Sequence, residues 1–189
     1  MRLPGQLVIT NSNFWFRGLG SYQVFTDTGI QGGWHVSIAP IDFMTDANMM
    51  KGLYELDLSM IRMKLMDREE GQGWTDAHCL QIENEYLKYL ALNRHYESRP
   101  IVPCKEVDIF WHYHILDTQA YSDDCQRIFG NFLHHFPYFG MRGPEDAAAL
   151  GDAYDETLAL YEVHFGLPDP QIWKREGMSR CPSCGRRCS

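Results

Sequence analysis

Long apolar runs are missing from this chain of 189 residues. None approaches the roughly 18 to 20 apolar residues needed to cross a bilayer, and Met1-Arg-Leu-Pro-Gly5 lacks the apolar core of a secretory leader. A soluble cytoplasmic protein without membrane contact is therefore expected. Two familiar catalytic motifs are missing as well: there is no Gly-x-Ser-x-Gly elbow for a nucleophilic serine and no glycine-rich phosphate loop. Basic charge is scarce, with 17 Lys and Arg against 25 Asp and Glu, a net charge of -8. Most of the imbalance lies outside the C-terminus. Residues 174 to 189 carry Lys174, Arg175, Arg180, Arg186 and Arg187 against Glu176, so this tail is +4 and the remainder -12. An acidic body disfavours broad contact with nucleic acid, which is not expected as a partner. The 44% hydrophobic content suffices for a core in a domain of this size.

Cysteine is present six times, and in a cytosolic setting thiols or metal ligands are expected rather than a disulfide framework. Cys79, Cys104 and Cys125 are scattered. Cys125 lies at helical spacing with Tyr121 and Phe129, as a small buried hydrophobe would. In Cys181-Pro-Ser-Cys184-Gly-Arg-Arg-Cys188 the first two cysteines have the spacing of the first two ligands of a zinc knuckle, Gly185 permits the tight turn, and Cys188 adds a third thiol. Zinc wants a fourth ligand, which would come from His164, a second subunit or water; the alternative is a tail of reactive thiols.

Three regions differ in pattern. Residues 1 to 44 hold short β-prone runs, Leu7-Val-Ile-Thr10, Tyr22-Gln-Val-Phe-Thr26 and Trp34-His-Val-Ser-Ile38, separated by Gly- and Asn-bearing turns; a small antiparallel meander is expected there. Residues 45 to 170 read as a helical, bundle-like domain, so the fold class is mainly α with a β appendage (α+β). One helix is expected from Thr45 or Asp46 to about Asp67, with Leu53, Leu56, Met60, Met63 and Leu65 as its apolar stripe. A second starts at Thr75 and ends before Pro100, a third is capped by Thr118, and a fourth opens at Pro144 and stops at Gly166. Residues 171 to 189 form the basic, cysteine-rich tail.

The chemistry concentrates in Val107-Asp-Ile-Phe-Trp-His-Tyr-His-Ile-Leu116 and in Gly130-Asn-Phe-Leu-His-His-Phe-Pro137. Asp and His ligate zinc, iron or copper, and His moves protons near neutral pH. As a strand, 107 to 116 would turn His112 and His114 to one face. As a helix it stacks Asp108 on His112 at i and i+4 and puts His114 about 200° from His112, in another network. Pro103 and the acids Glu106 and Asp108 favour the helix. The metal ligands expected are then Asp108, His112 and one of His134 or His135, with Tyr121 and His114 as supporting or proton-transfer groups and zinc or iron as the ion. A polar core without metal is the opposing reading of the same residues. A ligand pocket should reach this point, walled by aromatics drawn from Trp111, Tyr113, Tyr121, Phe136 and Tyr138.

Asp108-Ile-Phe-Trp-His-Tyr-His-Ile-Leu116, Tyr121-Ser-Asp-Asp-Cys125, Gly130 and His134-His135 together resemble the signature of the glycine-rich domain-containing protein-like family, found in bacteria and in plant proteins with glycine-rich extensions. The likeness spans about residues 50 to 166. It implies a largely helical fold and marks Asp108, Trp111, His112, His114, Tyr121 and His134 as signature positions without assigning them roles. This chain lacks the long glycine-rich tail of the plant members. The function expected is that of a small intracellular metal-binding protein, in its catalytic form an oxidative or hydrolytic metalloenzyme acting on a small molecule or modified peptide. The alternative is a non-catalytic helical interaction module whose cysteine tail holds a structural zinc or a partner.

Overall fold

Helices α1 (Ala47–Tyr54), α2 (Ser59–Met66), α3 (Asp76–His95), α4 (Lys105–Leu116), α5 (Thr118–Phe129) and α6 (Pro144–Phe165) follow one another through residues 47–174, the part that the computed structural model describes, for 47–50 as backbone only. No strand occurs among the described residues, so this part is mainly α. The expected β meander and Cys181, Cys184 and Cys188 lie outside them.

The helix expected from 45 to 67 is two helices. Asp57 turns its carboxylate back to accept the Ser59 amide at 3.1 Å, a local bond that competes with continuing a helix, and Leu58 is buried at the break. The shift in register changes which side chains face inward. Ile61 and Leu65 are buried, whereas Met60 and Met63 are exposed. Thr75 caps α3 as expected, its hydroxyl accepting the His78 amide at 3.2 Å. At α5 the cap is Asp117, whose carboxylate accepts the Ala120 amide, and Thr118 is already the first helical residue. Pro144 opens α6, and the chain leaves it at Gly166.

α3 is the central element, packed against α1, α2, α4 and α6. That environment accounts for its lack of a clean polar face. Ile82, Tyr86, Tyr89, Leu90 and Leu92 are buried, and so are Glu85 and Lys88, which satisfy each other. α4 in turn packs on α2, α3 and α5, with Val107, Phe110, Trp111 and His114 forming its buried side. Cys79, Cys104 and Cys125 are all buried and free, and burial pushes the Cys104 thiol up to about 12, so these three behave as small hydrophobes.

Candidate metal centre

α4 begins on Cys104, just after Pro103, and carries Glu106 and Asp108 in its first turn, where the helix dipole favours acids. Asp108 is nonetheless only 2% exposed. A buried carboxylate needs partners, and two imidazoles supply them. His135 places Nε2 3.1 Å from Oδ1, and His112, one turn along the helix, places Nδ1 3.4 Å from Oδ2. The same Nδ1 lies 2.6 Å from the Asp108 backbone carbonyl. At that distance it must carry the proton and donate to the carbonyl, which puts the lone pair of His112 on Nε2. This is the form in which histidines ligate metals, the second ring nitrogen being tied to a carbonyl or carboxylate.

Asp108, His112 and His135 thus form a group that can hold a metal ion, with one donor atom from each within 4.8 Å of one another. Donors bonded to a tetrahedral ion at about 2.0 to 2.2 Å lie about 3.3 to 3.6 Å apart, so the group would draw together by about an ångström on taking up an ion. Two imidazoles and one carboxylate are also a chemically coherent set for zinc or iron.

His135, rather than His134, reaches Asp108. Neither histidine is on a helix: α5 ends at Phe129, and Gly130 adopts φ 72°, a left-handed cap that turns the chain into an irregular stretch. Within that stretch His134 is exposed and rests against Phe132. His135 points inward, its ring 4.7 Å from Trp111 and 4.5 Å from His112.

Tyr121 holds this stretch in place. Its hydroxyl donates to the Leu133 carbonyl at 2.5 Å and accepts the Trp111 indole N–H at 2.9 Å, and burial raises its pKa far above the ordinary phenol value. It is a neutral hydrogen-bonding strut between α5, the Trp111 ring and the backbone two residues before His135. Tyr121→Phe removes both bonds while keeping the ring. The expected result is a metal affinity lowered by about 10- to 100-fold, the usual effect of losing an outer support, with the helical content unchanged. Titration of the variant with zinc checks this, and an unaltered affinity would show that the stretch holds itself.

His114 belongs to a separate network. Its Nδ1 lies 2.8 Å from the Tyr86 hydroxyl and its Nε2 3.1 Å from Asp124, which also pairs with Arg127. Burial lowers its pKa despite the carboxylate, which fits a neutral ring accepting from Tyr86 and donating to Asp124. Only 1% exposed, it ties α3, α4 and α5 together.

A cavity of about 470 Å³ reaches Asp108 and His135. Of the expected aromatic walls, Trp111 and Phe136 line it, while Tyr113, Tyr121 and Tyr138 do not, nor does His112; His134 does. Tyr113 is instead engaged with Gln72 and the Glu70 carbonyl, and Tyr138 is exposed. The remaining walls, including Tyr89, Arg99, Phe139 and Arg142, were not anticipated. Most come from the segment before α4 and the one between α5 and α6, where no periodicity signals a site. The one local hint was Arg142 four residues before Asp146, an ion pair at the start of α6 that holds the Asp146 carboxyl down at about 2.

No helix among the described residues is long and apolar enough to cross a membrane. Residues 54–152 match the UCP032817-like family. The sequence is 31% identical over 96 residues to glycine-rich domain-containing protein 1 of Arabidopsis thaliana, a stretch that makes up 50% of this chain and 11% of the plant protein. No solved structure matches the chain.

Proposed function

This chain belongs to the UCP032817-like family, and from that premise we propose that it is a cytoplasmic metal-binding protein whose centre, Asp108, His112 and His135, serves a ligand bound in the adjoining cavity. The matched span, 54–152, contains all three residues and every residue lining the cavity, from Tyr89 to Leu150. One observation carries the reading: the three donors converge within 4.8 Å, and two of them face the cavity. Zinc or iron is the ion that suits the set, and it would supply Lewis-acid polarisation or, as iron, redox chemistry. The residues themselves do the positioning. The Asp108 carbonyl fixes the tautomer of His112, Trp111 packs on the ring of His135, and Tyr121 anchors the backbone behind it. The ligand class proposed is a small molecule or a modified peptide, and the Cys181, Cys184 and Cys188 tail is proposed to hold a second, structural zinc.

Elemental analysis of purified protein, followed by titration of the chelated protein with Zn(II) and with Fe(II) under reducing conditions, tests this. One equivalent retained by a chain truncated before residue 179 is the expected result. No uptake of either ion after reconstitution would defeat the metal reading.

A second reading is favoured by a different observation. Among the described residues no buried side-chain nitrogen or oxygen lacks a hydrogen-bond partner, so the cluster is complete as a polar lock. Under that reading the chain is a non-catalytic helical interaction module, and the same titration separates the two.

A further inference from the structure

We infer that the cavity beside the metal centre takes an organic acid, its anionic group held at the mouth by Arg99 and Arg142 and its apolar or aromatic body lying against Trp111, Phe136, Phe139 and Leu150. The inference rests on the proposed function for treating the cavity as a ligand site, but its arginine contacts do not depend on the ion. Exposure grades the cavity from floor to mouth: Asp108 and Trp111 are buried, whereas the side chains of Arg99 and Arg142 are 49% and 60% exposed. The charges that reach its wall are Arg99, Arg142, Glu97 and Asp108, with His134 and His135. Both acids are already engaged, Glu97 with Arg94 and Asp108 with the two histidines. In a chain of net charge -8, an opening flanked by two guanidinium groups is where the surface field favours an incoming anion.

Each arginine is held by a ring and a carboxylate that leave donors over. Arg99 stacks on Tyr96 at 5.3 Å and pairs through Nη1 with Glu156 at 2.6 Å; Arg142 stacks on Phe136 at 5.2 Å and pairs through Nε and Nη2 with Asp146. A guanidinium has five N–H donors, so these pairings leave most of them for a ligand. The Arg99–Glu156 pair is half in solvent on both sides, the kind of contact that a bound carboxylate can displace at little cost. The Gly140 and Arg142 amides bind Oδ2 of Asp146 and the guanidinium binds Oδ1, so the carboxylate fixes Arg142 in place through Nε and Nη2 and leaves its other N–H groups unused by this pair. Aromatic rings and aliphatic side chains make up much of the remaining wall, which suits an acid with a planar or apolar body better than inorganic phosphate.

Isothermal titration of the full chain with 2-naphthylacetate, its uncharged amide and plain acetate tests the inference, with metal content measured on the same sample. The acid should bind about tenfold or more tightly than the amide, the contribution of one charge-assisted hydrogen bond, and acetate should bind weakly for want of a body. Arg99→Gln combined with Arg142→Gln should reduce the acid to the affinity of the amide while leaving the amide unchanged. Arg142→Lys, which keeps the charge and the partner Asp146, should retain most of the preference and controls for folding. Equal binding of acid and amide, a preference that survives the double substitution, or no binding of either at millimolar concentration would overturn the proposal. An arginine-dependent preference in protein that takes up no metal would leave the acid site standing and remove the metal centre. A loaded metal without acid preference would do the reverse.

Discussion

Replacing His114 by alanine is expected to lower the free energy of unfolding by about 3 kcal/mol and to leave metal uptake unchanged, whereas Asp108→Ala is expected to abolish uptake at a smaller cost in stability. The two residues are six apart on α4 yet serve different networks. His114 fills space between three helices and is 1% exposed, so its removal leaves a cavity and strips the Tyr86 hydroxyl of its partner. Large-to-small changes in a core cost about 2 to 5 kcal/mol, and a stranded buried hydroxyl adds about 1 to 3. Asp124 keeps Arg127, which holds the total near the middle of that range. Asp108→Ala instead removes the carboxylate that receives the His135 N–H, an expected loss of about 1 to 3 kcal/mol from one imidazole N–H left short of an acceptor, because His112 keeps its bond to the backbone carbonyl at position 108. Urea unfolding and zinc titration of both variants provide the check. Loss of uptake in a folded His114→Ala protein would place that residue in the centre after all.

The helical spacing of 107 to 116 was enough to foresee this division, because on a helix Asp108 stacks on His112 and turns His114 away. The cap at Thr75, the opening at Pro144 and the buried thiol of Cys125 were legible for the same reason: each is a local preference that the tertiary structure does not override. Where a short polar side chain competes with the helix, local reading fails. Asp57 interrupts the first helix, and Asp117 takes the cap that Thr118 was expected to provide. The choice between His134 and His135 was beyond periodicity, since it is decided by a left-handed Gly130 and by a bond from Tyr121 to the Leu133 carbonyl. Tyr86 and Asp124 as partners of His114, and the arginines of the cavity, come from chain segments that only the packing of α3, α4, α5 and α6 brings near.

The largest loss of stability is expected from Glu85→Ala, at about 3 to 5 kcal/mol. Glu85 and Lys88 are 6% and 8% exposed, an ion pair enclosed between α3 and α6. The Lys88 ammonium donates to Glu85 Oε1 and to the Tyr161 hydroxyl, both at 2.7 Å; that hydroxyl donates to Glu85 Oε2 at 2.7 Å, and the Trp173 indole N–H donates to the same oxygen at 2.8 Å. One carboxylate therefore satisfies three buried donors, from residues as far as 88 apart in sequence. Removing it takes the carboxylate away from a buried ammonium that also meets the Tyr161 hydroxyl and the faces of Tyr161 and Phe165, and breaking one partner out of a buried pair typically costs about 3 to 5 kcal/mol. Glu85→Gln keeps the volume and an acceptor for Trp173 and for Tyr161, so it should cost less than the alanine change, and the cost that remains reports the lost charge opposite Lys88. Because Trp173 reports directly on this bond, its fluorescence should shift in both variants before the global transition in urea. A loss below about 1 kcal/mol for Glu85→Ala would mean that water reaches Lys88 and that Ile172 and Trp173 are held to α3 and α6 by apolar packing alone.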